Sequence, residues 1–277
     1  MGSERYSRNE ALFGAEGQAR LAATSVAICG LGGLGSHVAQ QLAHLGVVAF
    51  TLIDFDIVTD SSLNRLVGVF DADVNDELPK VEAAERMITS INPHASVTNV
   101  PEPLMAIAAR EALASADIIF GCLDKDLHRV ELLGVSSECK KPLFDLATDV
   151  GEESNQSYYG GRMVLCRGAG CLVCLPEILD QEGMAVDRMD PEQREAHRRI
   201  YGVSADALEG TGPSVVSING VVASLAVTEF MCLVTGLRPP CTQLTFRAEQ
   251  GGVVKSLDQG DPDCLYCHTF ASSDAKR

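Results

Sequence analysis

The sequence predicts an α/β protein built on a Rossmann-like, mostly parallel sheet with helices on both faces. Three observations carry that prediction. The run Cys29-Gly30-Leu31-Gly32-Gly33-Leu34-Gly35-Ser36 follows a short apolar segment and opens an alanine- and leucine-rich helical pattern. A second apolar segment then ends on Asp54. Beyond it, strand-like and helix-like runs alternate as far as Ala147, the order that gives parallel strands joined by crossover helices.

Ser25 to Cys29 reads as the first strand, and the helix after the glycines runs to Gly46. Val47 to Ile53 reads as the second strand. After a polar stretch, a helix is expected from Lys80 to Ser90, stopped at Ile91-Asn92-Pro93 because the residue before a proline disfavours the helical region. Ala95 to Val100 reads as a strand, Ala106 to Ala114 as a helix and Asp117 to Cys122 as a buried strand. A helix from Leu127 to Ser136 and a strand from Pro142 to Ala147 follow. Further on, Gly160 to Arg167 reads as a strand and Asp180 to Arg199 as a charged, solvated segment with room for helix. Pro213 stands near the start of a long apolar helix reaching about Val234, and strands are expected at Gln243 to Arg247 and Gly252 to Leu257. No repeat or low-complexity linker divides the chain, so residues 1–277 are expected to form a single unit with halves at 1–150 and 151–277.

Composition narrows the partners. Lys and Arg number 22 against 38 Asp and Glu, a net charge of −16 that repels phosphate backbones, so no nucleic acid is expected. The first twenty residues are polar and charged, and the longest apolar run, Val215 to Val234, is interrupted by Ser217, Asn219, Ser224, Thr228 and Glu229. No membrane partner and a cytoplasmic location are therefore expected. Ten cysteines in such a chain point to metal ligands or free thiols rather than a disulfide framework.

The glycine run sits where a nucleotide-binding turn needs it, between strand and helix and followed by a strand ending in an acid. Gly30, Gly32, Gly33 and Gly35 let backbone N–H groups approach phosphate oxygens at a helix start, and Asp54 can accept hydrogen bonds from a ribose. Asp54-Phe55-Asp56 then leads to Ser61-Ser62-Leu63-Asn64-Arg65, with Lys80 opening the next helix. Two cations beside a nucleotide loop suit a triphosphate. Leu123 and Asp124 lie at the carboxyl end of a later strand, where Asp124 offers a hard oxygen ligand for Mg²⁺.

In this order the motifs resemble the MoeB/ThiF/HesA family, relatives of the ubiquitin-activating enzymes. The family pattern is G-x-G-G-x-G, D-x-D, S-N-L-N-R-Q, a lysine, I-N-P and an Asp after a later strand. The chain supplies Gly30 to Gly35, Asp54 to Asp56, Ser61 to Leu66, Lys80, Ile91 to Pro93 and Asp124. The match is strong from about Arg5 to Ala147 and looser beyond. It implies an ATP- and Mg²⁺-dependent adenylyltransferase acting on the C-terminal carboxylate of a ubiquitin-like protein, a sulfur-carrier protein or a short peptide. Asp54 would hold the ribose, with Asp56, Asn64 and Leu123 completing the nucleotide site. Arg65 and Lys80 would hold phosphates, and Asp124 would position Mg²⁺. Arg5-Tyr6-Ser7-Arg8 resembles the family's R-Y-x-R-Q opening, so Arg8 is expected to reach a partner subunit's ATP, which implies a homodimer. Ser62 replaces the usual Asn and Leu66 the usual Gln; Ser62 keeps a hydroxyl of shorter reach, and neither change removes a charge.

Cys171-x-x-Cys174 and Cys264-x-x-Cys267 can close one tetrahedral, all-thiolate structural Zn²⁺ site. The family often carries it, and it would make 151–277 the zinc-binding and substrate-tail half. Leu175 to Met231 holds no cysteine, so no enzyme thioester is expected there; Cys139 and Cys166 are the weak remaining candidates. Ala207 to Pro213 resembles the turn before the family's long helix and reads as a guide for the substrate tail or simply as a helix start. An NAD-dependent oxidoreductase would use the glycine loop and Asp54 but leave Arg65, Lys80 and Asp124 without work. A non-catalytic subunit of a heterodimeric activator would have little reason to keep those charges.

Overall fold

The computed structural model describes residues 4–153, 156–176, 178–190, 193 and 214–271. The elements run α1 (Ser7–Ala23), β1 (Ser25–Cys29), α2 (Gly33–Leu45), β2 (Ala49–Ile53), α3 (Asp71–Asn75), α4 (Lys80–Ile91), β3 (Ser96–Val100), α5 (Ile107–Ser115), β4 (Ile118–Gly121) and α6 (Asp126–Cys139). They continue with β5 (Leu143–Glu153), β6 (Gln156–Cys166), α7 (Gln181–Asp187), α8 (Val216–Thr235), β7 (Gln243–Arg247), β8 (Gly252–Lys255) and α9 (Leu265–Ala271).

All eight strands form one sheet in the order β3-β2-β1-β4-β5-β6-β7-β8. The first five positions are parallel, and β5 to β8 continue as an antiparallel meander. The change of direction comes from the β5–β6 pair, registered from Leu143↔Cys166 out to Glu153↔Gln156. β5 is therefore longer than the strand expected to stop at Ala147, because its outer half pairs only with β6 and leaves the parallel stack behind.

The two faces of the sheet carry separate apolar cores. On one, Phe120, Phe144 and Phe230 meet with ring centroids 5.2 to 6.4 Å apart, packed with Leu146, Met163 and the buried side of α8. On the other, Ile119, Leu143, Val164 and Cys166 pack against α5, α6 and the two cysteine pairs. α8 is 20 residues long and apolar enough to span a bilayer by length and composition alone, which the sequence reading did not grant it. Its Ile218, Val222, Ala223, Ala226, Val227 and Phe230 are buried in the core, which accounts for that composition without a membrane.

The polar N-terminal stretch, for which no element was expected, is largely helical. α1 has little apolar asymmetry and bends at Gly14, whose φ of 74° and ψ of 167° leave the helical region. Gln18 Nε2 donates to Leu45 O at 2.8 Å and Arg20 Nη1 to Thr235 O at 3.2 Å, so α1 is pinned to the carboxyl ends of α2 and α8. Tertiary contacts, rather than periodicity, hold it.

Candidate active site

The glycine run becomes a sharp turn and helix start. Gly30 has φ 84°, and a Cβ there would press on the Cys122 carbonyl 2.6 Å away. A Cβ on Gly35 would collide with Gly30 O, whereas one on Gly32 would meet nothing within 4 Å. Gly32 is the N-cap of α2, and no side chain caps the N–H groups that follow. Open space in front of uncapped helix donors is a ready phosphate seat.

Asp54 follows β2 and faces this turn. Its Oδ2 accepts from Leu31 N–H at 2.6 Å and its Oδ1 from Asp56 N–H at 2.9 Å. The carboxylate thus holds the glycine loop in place while each oxygen retains a lone pair for a ribose hydroxyl. Burial raises its pKa, opposed by the Lys80 charge and those two N–H donors.

Lys80 reaches the site through local pairing. Val58 N–H donates to Leu78 O at 2.8 Å and Lys80 N–H to Asp56 O at 2.9 Å, which clips the start of α4 to the segment after Asp54. Lys80 Nζ then lies 2.6 Å from Asp56 Oδ2. Arg65 sits on the intervening loop, where its guanidinium donates to Ser61 O and, at 3.4 Å, to Asn64 Oδ1. Val67 N–H donates to Ser36 Oγ at 3.2 Å, and Leu66 is buried, so this loop is tied to α2.

Ser62 is bonded within its own loop. It is buried, its Oγ accepts from Thr59 N–H at 3.1 Å, and it closes a capping box on a short 3₁₀ turn. The Ser62 hydroxyl is spent on the backbone, so its shorter reach is a matter of loop shape.

Asp124 stands exposed on the loop between β4 and α6, with no hydrogen bond or ion pair among the described residues. The N-cap of α6 is Lys125, so Asp124 is not the helix cap. Leu123 is half-buried beside it. The turn, Asp54, Lys80 and Asp124 all follow the carboxyl ends of β1, β2 and β4, the crevice where open parallel sheets bind ligands. The segment after β3 belongs to the same rim, since Asp54 N–H approaches Val100 O at 3.4 Å. Sequence reasoning missed it, although the rule that ligands sit beyond strand ends pointed there.

Arg8 is elsewhere. It lies in the first turn of α1, exposed and with no hydrogen bond or ion pair among the described residues, next to Tyr6, whose ring packs against Gly46 at the far end of α2. Arg5 Nη1 donates to Ile91 O at the far end of α4. Both α2 and α4 start in the crevice, and thirteen residues at about 1.5 Å rise put Arg8 roughly 20 Å from its own glycine loop.

The four expected metal ligands do converge. Cys171, Cys174, Cys264 and Cys267 present sulfurs that all lie within 4.8 Å of one another. Three Sγ–Sγ separations are 3.6, 3.7 and 3.7 Å. Zinc–sulfur bonds of about 2.3 Å in a tetrahedron put sulfurs about 3.8 Å apart, so the donor set fits Zn²⁺. Burial pushes the Cys171 thiol up to about 12 and raises Cys267 further. At Cys174 hydrogen bonds from Asp261 and Cys171 N–H outweigh burial and bring the thiol below its ordinary value. Four packed thiols cannot all ionise unless a cation balances them.

Of the weak thioester candidates, Cys166 is fully buried with its thiol raised well above the ordinary range by burial and Asp145, and Cys139 ends α6, which starts at the crevice. Neither meets the site. The guide segment Ala207 to Pro213, and most of the charged stretch to Arg199 beyond α7, lie outside the described residues.

A charged knot beside the crevice had no sequence signal. Asp145 on β5 is completely buried, and its Oδ2 accepts from Arg129 Nη1 at 3.0 Å and Arg162 Nη1 at 2.9 Å. Arg129 also donates to Leu146 O at 2.7 Å, and Arg162 to Ile178 O at 2.9 Å. Arg129 Nε lies 3.3 Å from Asp126 Oδ1 as an ion pair without hydrogen-bond alignment. Asp126 Oδ2 in turn accepts from Asp180 N–H at 2.7 Å. These bonds lace the loop carrying Asp124 to β5, β6 and the segment after the first cysteine pair.

A glycine turn, an acid locking it and two cations across a strand-end crevice define a nucleotide-binding protein with the means to hold phosphates. The chain belongs to the ThiF family, whose family model matches residues 6–265, and it is an adenylyltransferase of the ThiF/MoeB type. It is 30% identical over 245 residues to the sulfur carrier protein ThiS adenylyltransferase of Escherichia coli, covering 87% of this chain and 84% of that one. It is 38% identical over 141 residues to the molybdopterin-synthase adenylyltransferase of Haemophilus influenzae, covering 50% of this chain and 57% of that relative. Among solved structures it is similar in fold to E. coli MccB crystallised with MccA-N7isoASN, with TM-score 0.71 and 20% identity over 96% of this chain and 75% of that one.

Proposed function

We propose that the protein uses ATP to activate the C-terminal carboxylate of a ubiquitin-like or sulfur-carrier protein, or of a short peptide, as an acyl-adenylate. The observation that carries this reading is the gathering of the uncapped glycine turn, Asp54, Lys80 and Asp124 at one set of strand ends, with Arg65 on the loop tied to α2. The ThiS and molybdopterin-synthase relatives are named as adenylyltransferases, which supports the same chemistry here.

Asp54 orients the ribose, and the α2 N–H groups take phosphate oxygens at Gly32. Lys80 and Arg65 exchange their present oxygen partners for phosphate oxygens and stabilise charge as it moves toward the leaving group. A substrate carboxylate oxygen bonds to the α-phosphorus. The bond from that phosphorus to the bridging oxygen breaks, and its electron pair leaves with pyrophosphate. Asp124 is the residue to hold Mg²⁺, which supplies charge neutralisation on the phosphates. The four thiolates hold a structural Zn²⁺ with no open position for chemistry. The two cysteines beside the glycine turn, Cys29 and Cys122, are buried, and burial raises both thiols far above their ordinary value, so the acyl group passes to an external thiol, persulfide or amine. The chain itself divides into a nucleotide-binding half to residue 150 and a substrate-tail and zinc half beyond it.

A homodimer follows from Arg8, which lies at the opposite pole from its own glycine turn and is free to enter a partner's site. ATP–pyrophosphate isotope exchange with Mg²⁺ and Gly-Gly-terminated carrier proteins tests the whole reading. Exchange dependent on one carrier and reduced at least a hundredfold by Lys80→Ala or Asp124→Ala supports it; Mg-ATP failing to bind the purified protein rejects it. Mixing Arg8→Ala with Lys80→Ala chains tests the dimer, because a mixed pair keeps one intact site and recovers exchange that neither variant shows alone.

A further inference from the structure

We infer that Ser214 is an oxyanion donor at the reacting phosphorus, and that Thr148 and Asn219 hold its proton toward the crevice. The inference rests on the adenylyltransferase reading and adds a group that supports the reacting anions from the α8 side. The anion is an oxygen of the acyl carboxylate or of the α-phosphate it attacks.

The starting point is a polar residue in an apolar place. Asn219 lies in the first turn of α8, a helix otherwise rich in Val, Ile, Ala and Leu, and it is fully buried. A buried amide is costly unless paired, and its pairing here has a direction. Thr148 Oγ1 donates to Asn219 Oδ1 at 3.4 Å, and Asn219 Nδ2 donates to Ser214 Oγ at 3.0 Å. Ser214 thereby receives a hydrogen bond on its oxygen and keeps its own proton. Its own donation to Asn219 Oδ1, at 3.5 Å, shares that oxygen with Thr148 at 3.4 Å; both are long, so the proton is easily given up to a charged oxygen. A chain of donors running Thr148 to Asn219 to Ser214 polarises its last member.

The place where that proton points is set by three elements. Thr148 lies beyond the end of β4, whose last registered partner on β5 is Asp145, and its hydroxyl is turned toward α8, where it meets Asn219. Asn219 Nδ2 and Ser214 Oγ crowd Gly33, the first residue of α2; a Cβ there would collide with the amide and lie 3.2 Å from the hydroxyl. Gly33 is therefore a glycine because this trio occupies the space beside it. Ser214 and Thr148 are both half-exposed, while Asn219 is closed off behind them.

Helix capping does not account for the serine. The N-cap of α8 is Val215, one residue later, and no side chain caps that helix. α2 is likewise uncapped by any side chain, so two helix starts with free N–H groups flank the same hydroxyl. Their positive ends favour anions there, and the nucleotide phosphate and the incoming carboxylate are the two that adenylation brings together.

The test compares AMP with glycylglycyl-sulfamoyladenosine, a stable acyl-adenylate mimic, by calorimetry on the zinc-loaded full chain. Loss of one hydrogen bond to a charged oxygen corresponds to about tenfold in affinity. Ser214→Ala weakening the mimic about tenfold with AMP unchanged assigns the donor to the acyl oxygen. Equal weakening of both assigns it to the α-phosphate. Thr148→Val gives a smaller loss of the same pattern, and Thr148→Ser and Ser214→Thr, which keep the hydroxyls, restore it at unchanged melting temperature. Wild-type affinity for both ligands in Ser214→Ala overturns the inference alone. If the wild type binds neither ligand, the adenylyltransferase reading falls and this inference with it.

Discussion

The crevice and the ground beneath the cysteine pairs use the same kinds of ion and treat them in opposite ways. At the crevice Lys80 pairs with Asp56 while the lysine side chain is 14% exposed and the aspartate 51%. In the knot, Asp145 is fully buried, the Arg129 side chain is 5% exposed and Arg162 is 14%. A pair with one member in solvent, as Asp56 is, adds about 0 to 1 kcal/mol to stability and is easily exchanged for another partner. A dry pair is costly to assemble and costlier still to break, because removing one member strands the others away from water. The pair at the strand ends keeps one member in solvent, whereas the knot between α6, β5 and β6 is closed off from it.

With Zn²⁺ held as proposed, the largest effect expected on that contrast is its removal. Chelation, or Cys264→Ser, leaves thiols raised by burial with no balancing cation and frees α9 from α6, where Ser137 Oγ donates to Tyr266 O at 3.2 Å. The melting temperature should fall by on the order of 10 °C, with zinc lost in metal analysis. Retained stability without metal would mean that apolar packing, not the thiolates, holds this region. Next comes Asp145→Ala, which takes the shared carboxylate from Arg129 and Arg162 and should cost about 3–5 kcal/mol in urea unfolding. Lys80→Ala should cost no more than about 1 kcal/mol in the same experiment while removing pyrophosphate exchange. Equal costs for the two variants would erase the distinction drawn here.

A smaller effect concerns acid. Arg86 holds the Asp73 carboxyl below its ordinary range, and Glu229 ends below it too because Arg238 and the Cys241 N–H outweigh burial. Carboxyls depressed in the folded state stabilise it fully above their unfolded values of about 3.9 and 4.3. That contribution is lost as pH falls through the lower folded values. Melting temperature should therefore drop below about pH 4, and Arg238→Met should flatten the drop.

Much of this molecule is legible in its chain. The strand Ser25–Cys29 and the strand Gln243–Arg247 stand where apolar alternation put them, and the glycine turn with its acid needed only local spacing to read. The four cysteines were legible for the same reason, since two short-spaced pairs have one simple way to share a tetrahedral ion. The α1 helix was not, because its stability comes from Leu45 and Thr235 carbonyls far along the chain. The partner of the Ser62 hydroxyl, here Thr59, was not legible either, because it depends on how the loop folds.

The sequence by itself determined that strands and helices alternate around a sharp glycine turn, because backbone periodicity and glycine sterics act over a few residues. Tertiary structure alone decided which charges are dry and which are wet, that Arg8 stands a helix length from its own crevice, and that Thr148, Asn219 and Ser214 meet beside Gly33. Those outcomes depend on burial and on contacts between residues far apart in the chain, such as Asn219 against Gly33, and burial is a property of the packed chain rather than of any segment.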